Sequence, residues 1–406
     1  MRPRMCFDDV AWERSESISE AWIKDLFKTD NLRAIGGAIA AYRKGSPIDL
    51  CEPRGGAFNA LFRMNFQQGN PILIRLTNPG MTMFPDEKTR YEVAAIAYLR
   101  HKTSIPLPLV LHWGTKEESP LRGSPFDRSA FRMMEYIENA MTMNEPLNKP
   151  SLKIEDRPLL DPYIDVGKLE MLYGQLADVL LQLSRATLPQ IGSITQEDDR
   201  TWESSSRHLT FVMNQLVSLG TLPRPKLPAT SFNSASSYFE ALANLNIEHL
   251  EHQRNDAVEL EADCRRKFVA RRLFLKLARE KRLTSAATDS GPFPIWCDDF
   301  LTRKHTAIAQ GRLEESERLS GPMQRGWESG DFWVVYAARK SFAFDSIFWK
   351  KVEPRYFGPS ELSEEDRWTE RLELLDEEEK KAMEVLVKRK LGDMKRRVLA
   401  WETDES

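Results

Sequence analysis

The stretch GPFPIWCDDFLTRKHTAIAQ, residues 291–310, brings an apolar approach ending at Trp296 to Cys297, Asp298 and Asp299, then turns basic and helix-forming. A carboxylate presented in that way can accept or orient the proton of an attacking hydroxyl. Far upstream, GGAFN (Gly55, Gly56, Ala57, Phe58, Asn59) supplies small residues whose backbone N–H groups can approach phosphate oxygens closely. Arg75 follows as a cation on a strand-like run, and Glu92 as a carboxylate on a helix-like run, able to hold that cation in place. Next comes the strand-like FRMMEY, and Asp299 last. Glycine turn, strand cation, helix carboxylate, further strand and late Asp stand in the order used by kinase-type phosphoryl transfer.

Each feature also has a plain structural reading. A glycine pair is more often just a turn, and Arg75 with Glu92 can be an ordinary surface ion pair of little worth. Asp298 and Asp299 can be a solvated turn. Their common order favours the site reading, with Asp299 as its carboxylate. Cys297 close to His305 has no third ligand or base at useful spacing and reads as a packed thiol. Asp331-Phe332-Trp333 imitates a metal-binding signature. Val334, Val335, Ala338 and Phe342 continue after it at helical spacing, so Ser329 or Asp331 is expected to be a helix N-cap. The basic run KKAMEVLVKRKLGDMKRR follows DEEE and reads as a solvated helix.

The elements that must position these residues show in the periodicity. SISEAWIKDLF has the Ser17/Glu20 spacing of a capping box ahead of an amphipathic run. Phe62, Met64 and Phe66, then Ile72, Ile74 and Leu76, alternate on either side of QQGN and predict a hairpin. Residues 86–101 take helical spacing, with Val93, Ile96 and Leu99 on one apolar face. SIPLPLVLHWG reads as a Pro-punctuated extended connection, and SAFRMMEYIEN as a further strand. From 168 onward Leu169, Leu172, Leu176, Val179, Leu180 and Leu183 form a strong amphipathic stripe. Residues 235–283 and 305–353 look helical, and the stretch after Ser363 is charged and helix-forming.

Composition bounds the rest. The chain has 406 residues, 41% of them apolar, with 20 Phe and 10 Trp, enough for a sizeable core. Basic residues number 58 and acidic 61, so the net charge of -3 offers no global field for nucleic acid or an anionic membrane. Cys6, Cys51, Cys264 and Cys297 are scattered, without disulfide or zinc spacing, as expected of a reducing compartment. No run approaches the roughly 20 apolar residues that span a bilayer. A cytoplasmic protein, with no nucleic-acid or membrane partner, is the expectation.

The segments GGAFNALFRMNF, PILIRL, TRYEVAAIAYLRHKTSIPLPLVLHWG, FRMMEYIEN and GPFPIWCDDF together resemble the aminoglycoside phosphotransferase and choline kinase-like family, its fungal members especially, from about residue 50 onward. The resemblance implies an α+β, bilobal, protein kinase-like fold. On that reading residues 1–50 are a helical preface, 51–138 a β-rich N-lobe, 139–360 a helical C-lobe truncated around 300–305, and 361–406 charged C-terminal helices. It implies ATP and Mg²⁺ as cofactors and a small-molecule acceptor whose hydroxyl takes the phosphate. Gly55, Gly56, Ala57, Phe58 and Asn59 match the nucleotide-covering loop, Arg75 the phosphate-contacting cation and Glu92 its partner. Met134, Glu135 and Tyr136 match the strand that joins the lobes, where adenine docks. Asp299 matches the catalytic Asp, with Cys297 where the family has His.

The match then breaks. Where the family has a metal-binding Asn, position 304 is Lys. No strand hairpin ending in a second metal-binding Asp follows; the chain reads as though several tens of residues were missing between Arg303 and His305. Two expectations result: a phosphotransferase lineage with impaired activity, or a kinase-fold binding or scaffold protein, including a defective splice product, that does not catalyse. Full-length transcripts sequenced across the codons for Asp299 to Ala309 separate a splicing origin from a natural one. A splicing origin predicts a longer message with an Asn at position 304 and a later Asp; a short junction in every message excludes it.

Overall fold

Asp8 opens the first helix, α1 (Asp9–Leu26): its side chain accepts from the Ala11 N–H and satisfies a first-turn donor. The structure is a computed structural model. It describes residues 8–395 apart from 44, 122–128, 140, 144, 151, 153–158, 199–200, 255–256, 285–288, 291–292 and 295–319. Ser17 and Glu20, expected as a capping box, lie inside α1 instead. Asp8 caps the helix well upstream, and buried Ala11 anchors that early turn in the core. Helix α2 (Thr29–Tyr42) follows and buries Ile35 and Ile39.

The architecture is mixed α and β, with a small antiparallel sheet followed by a larger helical part. The sheet contains β1 (Pro47–Leu50), β2 (Arg54–Gly55), β3 (Asn59–Phe66), β4 (Ile72–Thr77), β5 (Val110–Gly114) and β6 (Phe131–Glu135). Its order is β1-β3-β4-β6-β5, with β2 paired to β3. The β3–β4 hairpin forms as the alternation predicts, and Gly69 turns it at φ +83°, a left-handed conformation that glycine adopts without strain. Phe62, Met64, Phe66, Ile72, Ile74 and Leu76 point to one face and pack against Trp22, Leu26, Ile35 and Ile39 of α1 and α2. SIPLPLVLHWG differs from expectation: its second half is strand β5, because the prolines end before the backbone donors that pair with β6.

Helix α3 (Pro85–Lys102) connects β4 to β5. It buries Thr89, Ala94 and Tyr98, whereas the predicted apolar face, Val93, Ile96 and Leu99, is only half-buried. The reason is a hairpin that the periodicity did not announce, β8 (Ser193–Asp198) and β9 (Thr201–Ser206), which packs on α3. Its strands are mostly polar, and Ile194 and Trp202 pack it against Ala94 and Tyr98. Just before it, β7 (Thr187–Leu188) pairs with β10 (Phe293–Pro294).

The helical part comprises α4 (Val166–Arg185), α5 (Phe211–Ser218), α6 (Ala235–His252), α7 (Glu261–Arg279) and later helices that include Asp331–Arg339 and Glu377–Met394. Leu242 and Leu245 of α6, Phe268, Leu273 and Phe274 of α7, and Phe344, Phe348 and Trp349 share the largest core cluster. The helix Asp331–Arg339 buries Val334 and Ala338, as the spacing predicts. Its N-cap is Gly330 rather than Ser329 or Asp331; the Ser329 hydroxyl accepts from the Asp331 N–H at 3.3 Å, and the Asp331 carboxylate takes Arg355 at 2.7 Å.

The last helix is held by a buried cation. Lys390 is fully buried and donates to the carbonyls of Glu251, at 2.8 Å, and Gln253, where α6 ends. A donor there satisfies carbonyls that the helix cannot. Burial, with help from Arg389, pulls the Lys390 ammonium down to about 7 from its ordinary 10.5. Between those values the unfolded chain carries a proton that the folded chain lacks, so this group makes stability rise with pH above about 7. Lys390→Met is expected to flatten that rise between pH 7 and about 9 and to lower stability at pH 8 by roughly 1–3 kcal/mol, through the two carbonyls left without a donor. Urea midpoints across that range measure it, and an unchanged pH slope would show that Lys390 titrates normally.

Candidate functional site: a cationic sheet face under a helix

The register sets Arg75 of β4 directly opposite Arg132 of β6. Ile74 and Met133, their neighbours, belong to the core on the opposite face, so the two guanidinium groups share the face that α3 covers. Arg132 is 3% exposed and Arg75 half-buried. Like charges directly opposite on a sheet destabilise it unless something compensates. Glu92 of α3 does so: it pairs with Arg132, and its other oxygen lies 2.8 Å from Lys88 Nζ, an ion pair by distance but not aligned as a hydrogen bond. Two cations thus meet one carboxylate, with Arg75 beside them. The Nε atoms of Arg75 and Arg132 are buried with no partner among the described residues.

The burial is felt in every one of these groups. Desolvation, and then Arg132 and Arg75, bring Lys88 down to about 7. Desolvation and Arg75 bring Arg132 down to about 9, and desolvation lowers Arg75. All three shifts say that the site disfavours its own positive charge, which is the condition of a place that gains from an anion.

The glycine turn lies at the near end of the same sheet. The Gly56 N–H donates to Asn59 O at 2.9 Å, and the Asn78 N–H donates to Phe58 O at 3.0 Å. Gly55 and Gly56 are exposed and have no positive φ; an added Cβ would meet nothing within 4 Å at Gly55 and only Asn59 O at 3.8 Å at Gly56. Neither conformation nor crowding demands glycine there, so the pair leaves bare main chain beside open space. Ala57 is exposed at the tip, and Phe58 sets its ring edge-on to Phe211 of α5, with centroids 5.2 Å apart. Asn59 is buried, and its Oδ1 has no partner among the described residues.

Met134 lies on the same face as Arg132, two residues along β6, and is buried. The Glu135 N–H donates to Leu109 O at 3.0 Å and the Tyr136 N–H to Pro71 O at 2.9 Å, so both donors are spent within the sheet. The Tyr136 ring lies under the Arg63 guanidinium at 4.0 Å. Arg75, Arg132 and Met134 therefore share the face under α3 with Glu92 above it, while the 55–59 turn lies at the Leu76–Thr77 end of the sheet and Met134 toward the Leu73 end. One expectation changes: the partners of Glu92 are Arg132 and Lys88 rather than Arg75. Arg132 reaches the carboxylate because β6 runs between β4 and β5, under α3. Asp299, with Cys297, Asp298, Lys304 and His305, lies outside the described residues.

Arg132 and Lys88 were given no role by the sequence reading. Arg132 had a signal, a lone charge at an alternating position of the otherwise apolar FRMM; Lys88 had only its i,i+4 spacing to Glu92. Among the described residues no group of three or more His, Cys, Asp or Glu could hold a metal ion, and no helix is long and apolar enough to cross a membrane. No family model, curated protein or solved structure matches the chain.

Removing Glu92 leaves the three cations uncompensated. Glu92→Gln is expected to lower stability by about 2–3 kcal/mol, below the full cost of breaking a buried pair because Glu92 is partly exposed. Millimolar pyrophosphate is expected to recover more of the melting temperature in the variant than it adds to the wild type. Equal shifts in both proteins would show that the anion goes elsewhere.

Proposed function

We propose that the chain is a kinase-fold protein of the aminoglycoside phosphotransferase and choline kinase-like lineage. Its cationic sheet face takes the phosphates of a nucleotide, and its transfer of phosphate to a small-molecule hydroxyl is impaired. The observation that carries this reading is the Arg75–Arg132 pair with Lys88: three buried or half-buried cations, one carboxylate, and two Nε donors without partners among the described residues. Phosphate oxygens supply the acceptors and the charge that such a face lacks. The exposed glycine turn at the end of β3 adds bare backbone for the same purpose. The strand order β1-β3-β4-β6-β5, with one helix between β4 and β5 and a helical part following, supports the fold side of the proposal.

The residues would divide the work as follows. Arg75, Arg132 and Lys88 hold the phosphates, and Glu92 keeps Arg132 and Lys88 in place. The backbone of Gly55 to Asn59 covers the phosphates. Asp299 would take the proton of an acceptor hydroxyl. Mg²⁺, which the lineage uses, does not fit the described residues: a divalent cation needs several oxygen ligands, and this face offers one carboxylate already shared by two cations.

A specific observation favours a second reading, binding without catalysis: Lys304 stands where the lineage has a metal-binding Asn, and electrostatic stabilisation carries most of the barrier reduction in this chemistry. Thermal unfolding with ATP, with and without Mg²⁺, separates the two. Bound ATP at about 100 times its Kd is expected to add about 2.7 kcal/mol of stability, and Arg75→Met to abolish the effect. Stabilisation that requires Mg²⁺ favours the transferase; stabilisation equal in EDTA favours the binding protein; no shift overturns nucleotide binding altogether.

A further inference from the structure

On the far side of Arg132 from Arg75, Trp113 of β5 continues the same row of the sheet. Beyond it lies a cavity of about 550 Å³ between α3, β5 and the β8–β9 hairpin. That volume is in the range of small-molecule sites. Its walls are apolar and aromatic: Val93, Ile96 and Ala97 from α3, Val110 and Trp113 from β5, and Trp202 from β9. Val93 and Ile96 are the stripe whose spacing predicts a core face; the structure leaves them half-buried because they line this cavity.

Arg100, His101, His112 and Gln196 are the polar residues at the rim, and among the described residues no carboxylate lines the cavity. Arg100 spends Nη1 on the Leu107 carbonyl, which leaves the rest of a five-donor guanidinium. His101 lies tilted against Trp202 at 5.1 Å, Tyr98 meets the same indole edge-on at 5.7 Å, and His112 stacks on Tyr42 at 5.3 Å, so the aromatic groups are held in place. The Trp202 Nε1–H is buried with no hydrogen-bond partner among the described residues.

We infer that this cavity is a ligand site, separate from the Arg75–Arg132 face, for a small apolar molecule that carries a carboxylate. The apolar body fits between Ala97, Ile96 and the Trp113 and Trp202 rings, and the carboxylate meets the Arg100 guanidinium. A neutral molecule would leave the Arg100 guanidinium unanswered, and a cation would face it. The inference rests on this cavity alone and holds whether or not a nucleotide binds the sheet face.

Isothermal titration with naphthalene-2-acetate tests it, with 2-(2-naphthyl)ethanol as the uncharged isostere. The acid is expected to bind one to one, and the alcohol about tenfold more weakly, as befits the loss of a charge-assisted hydrogen bond. Ala97→Phe fills the cavity and is expected to abolish binding. Arg100→Gln, at an exposed position, is expected to weaken the acid about tenfold and leave the alcohol unchanged. No binding to the wild type, or binding that survives Ala97→Phe, overturns the site; equal affinity for acid and alcohol overturns its anionic class.

Discussion

Two guanidinium groups placed opposite each other on adjacent strands repel, and β4 and β6 hold Arg75 and Arg132 in that arrangement. The sheet can keep this pairing only if negative charge is delivered to the face, and Glu92 delivers it from α3. The position of α3 is therefore tied to the sheet by charge as well as by packing. Its two ends are fixed independently. Near its start, Glu87 takes a two-pronged bond from Arg207, at 2.7 and 2.5 Å. Near its end, Tyr98 donates to Thr187 O at 3.0 Å and packs in the cluster with Ile194. The helical part of the chain thus sets where the compensating carboxylate stands.

The same coupling reaches the glycine turn and the segment between β4 and α3. Phe58 rests on Phe211 of α5, and Asn214 of α5 accepts from the Met83 N–H at 2.8 Å while donating to Met81 O at 2.9 Å. Met83 and Phe84 belong to the large core of the helical part although they follow directly on the sheet. The cavity behind Trp113 and the cationic face share α3.

Elsewhere buried charge is handled by closure. Arg271 is buried, donates to Asn246 O at 2.9 Å and pairs with Asp345. Glu353 is fully buried between Arg367 and Arg371. Each of these ions finds an opposite charge or a carbonyl nearby, which is what burial requires. On the Arg75–Arg132 face Glu92 closes Arg132 and Lys88 in the same way, and Arg75 has no ion-pair partner among the described residues.

By itself the sequence determined what depends on neighbours along the chain. The β3–β4 hairpin followed from strict alternation around QQGN, α6 and α7 from helical spacing, and the mixed α+β class from both. The order of glycine turn, Arg75, Glu92 and Met134 was legible, and the structure places Arg75 and Met134 on the face under α3, Glu92 on α3, and the turn at the other end of the sheet from Met134. What it left to the tertiary structure depends on contacts between distant segments. Arg132, not Arg75, takes Glu92 because β6 inserts between β4 and β5, a pairing that no local period encodes. Ser17 lost the cap to Asp8 because buried Ala11 carries the helix further back. Val93 and Ile96 repeat at core spacing, yet they line a cavity because a largely polar hairpin, β8–β9, covers Ala94 and Tyr98 instead. Spacing states which side chains share a face; only packing decides what meets that face.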